Sequence, residues 1–323
     1  MIRLAFIGTS KIASQFADAA AQSGRYCFEA IYSRKKETAQ KFCEQFPFKK
    51  IYTSLEALAE DKDVDAVYIA SPNSLHCEQA MLMMSHKKHV LCEKPMAVSL
   101  DDCIKMLQTA EKNQVVFLEA MRPAFDPGFR AVSENLEKLG AIRRVSLSFC
   151  QYSSRYDNFR KGIIANVFNP EMGGGALLDI GIYPVYMLAL LFGLPKRCLS
   201  LNVRLDNGID GLGEVIAQYD GFIGEISYSK ITNSFVPSRI EGEKGYMTID
   251  KISEPTQVMI RYNSGQTETV YQSELINNMI YEAEAFAQFI ENKTGSAPDG
   301  ANVSVYHQAS RNAAQIIDMA VRS

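Results

Sequence analysis

The feature that most constrains this chain is the way its first third alternates short apolar runs with longer amphipathic ones. Leu4–Ile7 reads as a buried strand and Ile12–Ala21 as a helix. Cys27–Tyr32 is the next strand, followed by a helix over Lys35–Phe46; Val64–Ala70 and Leu75–Ser85 repeat the pair. A short strand at Val90–Cys92, a helix over Leu100–Lys112 and a strand over Val115–Leu118 complete the series. Strand, helix, strand at this spacing predicts βαβ units and a parallel sheet, with ligands at the carboxyl ends of the strands.

Past Pro123 the texture changes. A helix over Pro127–Leu139 leads into a strand over Arg143–Gln151, then a Gly-rich turn and an apolar helix near Gly173–Phe192. Strand-like runs dominate from Cys198–Leu205 to Thr267–Tyr271, punctuated by Asp206-Asn207-Gly208, Asp220-Gly221 and Asn263-Ser264-Gly265. Those turn signals predict a mostly antiparallel sheet. Helices near Asn277–Lys293 and Val303–Arg322 follow. The boundary falls where the alternation stops, giving domains 1–122 and 123–323. The length of 323 residues agrees with two domains at roughly 150 residues each.

Charge excludes some partners. Thirty-four basic against 37 acidic side chains leave a net charge of −3, which gives no electrostatic reason to expect nucleic acid or a membrane surface. The apolar stretch Ala176–Leu194 is interrupted by Asp179, Gly181, Pro184 and Gly193, a poor membrane span. The start of the chain enters a strand directly, without a leader-like pattern. Seven scattered cysteines form no CxxC pair, which suits reduced thiols in a cytoplasmic protein. The histidines, His76, His86, His89 and His307, lack metal-ligand spacing, and no metal is expected.

Gly8-Thr9-Ser10-Lys11-Ile12-Ala13 sits at the first strand–helix junction, on the template G-x-G-x-x-G/A. In that template the first glycine permits the turn, the second lets backbone approach a pyrophosphate, and the third packs helix on strand. Gly8 and Ala13 fit; Ser10 replaces the middle glycine, with a small side chain whose hydroxyl can donate to phosphate. An ordinary strand–helix turn is the alternative. The second strand ends in Ser33 and Arg34, with no Asp or Glu to hold a ribose 2′-hydroxyl. Serine and arginine suit a 2′-phosphate, which favours NADP and leaves NAD possible. The alternative is a solvated basic run starting a surface helix.

Four motifs in order sharpen this: the N-terminal turn, Ser71-Pro72-Asn73-Ser74-Leu75-His76, Cys92-Glu93-Lys94-Pro95-Met96, and Gly173-Gly174-Gly175-Ala176-Leu177-Leu178-Asp179-Ile180-Gly181-Ile182-Tyr183. Together they resemble the glucose–fructose oxidoreductase / inositol dehydrogenase (Gfo/Idh/MocA) family across essentially the whole chain. Tyr183, where many relatives carry His, resembles the dihydrodiol dehydrogenase-like subgroup. The resemblance implies an α/β protein, with a doubly wound Rossmann domain and a second domain built on a large open, mostly antiparallel sheet. It implies a cis Lys94–Pro95 bond and a catalytic role for Lys94, with Tyr183 as proton donor–acceptor and Asp179 orienting a substrate hydroxyl. Gly8, Thr9, Ser10, Lys11, Ile12, Ser33, Arg34, Ser71, Pro72, Asn73, His76, Glu93, Lys94 and Arg122 would line the cofactor. Arg122 has an equal alternative, an ion pair at the domain joint. The triple glycine would let its helix start close to the cofactor, and Met279–Ala283 reads best as a helix packed on the sheet.

The implied activity is NAD(P)-dependent hydride transfer to or from a carbinol of a small sugar, polyol or diol. The rivals are a silent dinucleotide-binding sensor and a glycosidase working through transient oxidation. The open sheet implies a homodimer or homotetramer.

Overall fold

The computed structural model describes residues 1–274, 277–292 and 302–322. The chain forms two compact units, Met1–Ala120 with Asn277–Gln308, and Met121–Ile276 with Ala309–Ser323.

In the first unit the elements are β1 (Ile2–Ile7), α1 (Lys11–Ser23), β2 (Tyr26–Tyr32), α2 (Lys36–Cys43), β3 (Lys50–Tyr52), α3 (Leu55–Glu60), β4 (Ala66–Ile69), α4 (His76–Ser85), β5 (His89–Glu93), α5 (Leu100–Asn113) and β6 (Phe117–Ala120). The strands pair in parallel in the order β3-β2-β1-β4-β5-β6. Strands β4 and β6 are buried along their whole length, as expected when helices cover both faces of a sheet. Order reverses between β1 and β4, the switch point where such sheets open a crevice at their carboxyl ends. Phe6 anchors the core against Phe16, Phe28, Phe48 and Tyr68.

Strand β3 and helix α3 differ from the sequence pattern, which gave neither. Three half-buried residues, Lys50-Ile51-Tyr52, carry no periodicity; their strand exists because they pair with Ala30–Tyr32. A late helix, α9 (Met279–Glu291), belongs to this unit and packs on α1 rather than on the antiparallel sheet. Asn277 Nδ2 donates to the Gln15 carbonyl, and Arg25 pairs with Glu291. The predicted end of that helix, Lys293, lies outside the described residues. The last helix, α10 (Val303–Val321), is divided between the units at Gln308/Ala309.

The second unit holds α6 (Pro127–Glu134), β7 (Ile142–Cys150), α7 (Tyr156–Phe159), α8 (Ile182–Phe192), β8 (Arg197–Arg204), β9 (Asp210–Gln218), β10 (Ile223–Ser229), β11 (Ser238–Gly242), β12 (Gly245–Ile249), β13 (Gln257–Tyr262) and β14 (Thr267–Gln272). Its sheet runs β14-β13-β12-β11-β7-β10-β9-β8. Only β7 and β10 pair in parallel, and every other neighbour is antiparallel. One face carries Leu147, Val215, Ile226, Met247 and Ile260 into a core shared with α8. The helix predicted through Leu139 stops at Glu134, because Asn135 Nδ2 bonds back to the Ala131 carbonyl and a 3₁₀ turn follows.

Helical residues Pro170–Phe192 are long and apolar enough to cross a membrane, yet most of that stretch is buried inside the protein. It is the core helix of this sheet.

Candidate active site

The first unit gathers its share of the motif residues at the carboxyl ends of neighbouring strands. Gly8 follows β1 with φ at +110°, and a Cβ there would stand 2.6 Å from the Ala70 carbonyl oxygen. Only glycine fits where the turn passes this close to the end of β4. Ser10 is the N-cap of α1, but its side chain makes no capping bond, and no acid occupies the first turn. The positive end of α1 and the Ser10 hydroxyl are therefore both available to an anion. Ser10 and Lys11 are exposed, Thr9 and Ile12 half-buried, and Ala13 is packed against the sheet.

Ser33 and Arg34 lie just beyond β2. The Ser33 N–H donates to the Tyr52 carbonyl, which ties the turn to β3. Arg34 is exposed and, among the described residues, has no ion-pair partner. After β4, Ser71 donates its hydroxyl to Gln79 Oε1, and Asn73 opens a single 3₁₀ turn behind Pro72.

His76 lies in the interior of the first unit. It is fully buried, with Nδ1 2.9 Å from the Pro95 carbonyl and Nε2 2.9 Å from the Ser71 carbonyl. Burial holds its imidazole below the usual range, with the two carbonyls pulling the other way. Its ring ties two loops together.

The second of those loops carries Lys94. The Lys94–Pro95 bond is cis, and Lys94 is half-buried. Buried acids hold the loop from beneath. The Glu93 carboxylate accepts from the Tyr68 hydroxyl and from the Lys94 N–H at 3.3 Å. The Glu119 carboxylate accepts from the Met96 N–H at 3.0 Å. Tyr68 is fully buried beside Glu93, which pushes its phenol far up and keeps it a donor. Glu93 thus supports the Lys94 loop. Glu119 and Tyr68 were not anticipated as supports; no local pattern marks Tyr68 apart from any core tyrosine.

In the second unit Asp179 sits in a π-helical turn, Leu177–Gly181, that runs into α8 with Tyr183 near its start. Such turns are uncommon and recur at functional sites. The preceding glycines act within this unit. A Cβ at Gly174 would meet the Asn166 and Val167 carbonyls at 2.6 and 2.7 Å, and one at Gly175, with φ of +129°, would strike Asp210 Oδ1. Their absence lets the Asp210 carboxylate accept from the Leu177 N–H at 2.7 Å, capping the helix. Burial pushes the Asp210 carboxyl up all the same.

Tyr183 is buried to 7 % exposure, edge-on to Phe149 at 5.4 Å. The Arg122 guanidinium lies 6.0 Å from the Tyr183 ring centroid and pairs with Glu254 at 2.6 Å. Of the two readings for Arg122, an ion pair with an acid is therefore present, and it also sets a cation over the tyrosine face. Asp179 has a partner the sequence did not reveal: Lys230 Nζ donates to its Oδ2 in a short ion pair. Among the described residues no group of three His, Cys, Asp or Glu could hold a metal.

Residues 2–121 match the oxidoreductase family with an NAD-binding Rossmann fold, and residues 130–248 match the GFO/IDH/MocA C-terminal domain. The chain is 44% identical over 297 residues to scyllo-inositol 2-dehydrogenase (NADP(+)) of Bacillus subtilis, covering 92% of this chain and 90% of that one. It is 28% identical to mouse trans-1,2-dihydrobenzene-1,2-diol dehydrogenase over 80% of this chain and 78% of that one. A 3-ketoreductase from Actinomadura kijaniata, solved with NADP and TDP-benzene, shares the fold: TM-score 0.84 at 23% identity, covering 99% of this chain and 97% of that one. The tight turn at Gly8, which passes too close to the end of β4 for any Cβ, and the uncapped start of α1 fit a dinucleotide. With both parts of the chain matched, the protein belongs to the Gfo/Idh/MocA family of NAD(P)-dependent oxidoreductases.

Proposed function

We propose that this oxidoreductase is an NADP-dependent dehydrogenase or reductase of a polyol, sugar or cyclic diol. The observation that carries the reading is the Lys94 loop. Two buried carboxylates, a phenol and a buried imidazole all serve to hold one lysine at the carboxyl end of β5. A surface lysine would need none of them. The Bacillus relative, named for an inositol and for NADP, supports the substrate class and the cofactor.

The nicotinamide, when bound, supplies the hydride chemistry. Gly8, Thr9, Ser10, Lys11 and Ile12 take the pyrophosphate side, Ser33 and Arg34 the ribose 2′-phosphate, and Ser71, Pro72 and Asn73 the nicotinamide side. Lys94 and Tyr183 hold and move the proton of the substrate hydroxyl, and Asp179 orients the substrate. The second domain supplies the substrate contacts, with the boundary near residue 122.

The outer face of the second sheet carries exposed Leu199, Leu201, Ile216 and Ile223 on neighbouring strands, and we propose that a homodimer or homotetramer covers them. All seven cysteines are free thiols, in keeping with a cytoplasmic enzyme.

The test is a panel of inositols, sugars and diols assayed by nicotinamide absorbance with NADP and NAD in parallel. Lys94→Ala is expected to lower kcat by about 10²–10⁴ while NADPH still binds, the range of a lost general acid–base. Full turnover in that variant would remove Lys94 from the chemistry.

A further inference from the structure

Lys230 follows directly on the last residue of β10, and nothing in its local sequence distinguishes it. Its surroundings do. Its side chain is only 9% exposed, a rare state for lysine. Its backbone is fixed on both sides: its N–H donates to the Gly211 carbonyl at 2.8 Å, and its carbonyl accepts from the Ser153 N–H at 2.8 Å. The Ser229 hydroxyl accepts from the Ile231 and Thr232 N–H groups, so the chain turns away immediately afterwards. Gly181 lets the π turn lie against Tyr228, with a Cβ there only 3.0 Å from the ring. That close approach is what carries Asp179 to Lys230.

An ammonium has three donors. Among the described residues, Lys230 Nζ has one hydrogen-bond partner, Asp179 Oδ2. A buried cation with unsatisfied donors is costly unless oxygen acceptors complete its shell. The neighbouring carboxylate is more open, at 28% side-chain exposure. The pair thus sets a hydroxyl acceptor and a hydroxyl donor side by side. Two adjacent hydroxyls of a polyol match that arrangement: one donates to Asp179 while its neighbour accepts from Lys230. A mono-alcohol can engage only one of the two.

We propose that Lys230 is a substrate-binding residue that selects for a hydroxyl adjacent to the one Asp179 holds. The inference rests on the polyol dehydrogenase reading above and names the group that enforces it. No bond is made or broken at Lys230; it contributes a charged hydrogen bond to a neutral oxygen.

The experiment compares a cyclitol that the enzyme turns over with its analogue lacking one adjacent hydroxyl. The wild type is expected to favour the cyclitol by about 10- to 100-fold in kcat/KM, the usual worth of a hydrogen bond to a charged group. In Lys230→Gln that preference should collapse to about threefold or less, mainly through KM. Thermal melting and NADPH fluorescence verify folding and cofactor binding. Lys230→Arg keeps the ion pair, so it reads the same question should the glutamine variant not fold: its displaced donors should lower the preference by at least about threefold. Equal losses on both substrates in either variant would make Lys230 a structural residue only and overturn the proposal. Failure of the earlier reading looks different: the wild type would then oxidise no polyol at all.

Discussion

We propose that Arg34 carries the cofactor choice. It stands exposed beyond β2 with no acid at the position that would hold a free ribose hydroxyl. Arg34→Ala is expected to raise KM for NADP by about 10- to 100-fold, the worth of a charge-assisted bond. KM for NAD should change by less than about threefold, since the 2′-hydroxyl offers the guanidinium no charge. Parallel titrations of the two cofactors decide it; equal losses would mean that Arg34 is a solvated surface charge. Among single residues the sequence offered candidates for the chemistry but not the groups that support them. Glu93 and His76 were legible as motif letters, and their work as supports for Lys94 was not. Tyr68, Glu119 and Lys230 act across 25, 23 and 51 positions of chain, distances at which spacing carries no signal.

Elements behave in the same way, and β5 with β6 shows it best. His89 opens β5, and its Nδ1 accepts from the Val116 N–H just ahead of β6 at 2.9 Å. That bond requires a neutral ring, and burial holds the His89 pKa below its usual value. The folded pKa therefore lies under the unfolded value of about 6.5. The stability it contributes is complete above that pH and is lost as pH falls through the folded pKa. Burial acts in the same direction on His307, whose Nε2 lies 2.7 Å from the Phe117 carbonyl. Urea unfolding of the whole chain should show a midpoint that drops below about pH 6.5, with His89→Gln flattening that limb. An unchanged acid limb in the variant would show that His89 does not contribute.

Long periodic elements such as α1 and α5 were readable because one face repeats its apolar residues. Strand β3 was not, since three residues cannot show a period. Nor was the π turn at Asp179, because the same letters suit an α-helix. It forms where Gly174, Gly175 and Gly181 allow backbone and Tyr228 to close in. The triple glycine looked like a device for approaching a cofactor; within its own unit it serves the approach of residues 166–167 and Asp210.

For the whole molecule, the exposed outer face of the second sheet sets an expectation about assembly. Leu201 is 82% exposed near the centre of β8, with Leu199 and Ile216 beside it. Leu201→Lys is expected to lower the mass seen by analytical ultracentrifugation toward that of a single 36.0 kDa chain. A wild-type protein that sediments as a monomer would refute the covered-face proposal.

Local pattern was enough to give the two fold classes in their order, the parallel sheet then the antiparallel one, and the family of NAD(P)-dependent oxidoreductases to which the chain belongs. It could do so because hydrophobic period and short motifs are local properties, written within a few residues of one another. Only the tertiary structure decided that α9 returns to the first unit and that buried acids brace the Lys94 loop. It alone placed Lys230 beside Asp179. Each of those outcomes is a contact between distant parts of the chain, where burial makes a charge or a polar group seek whatever partner the fold brings within reach.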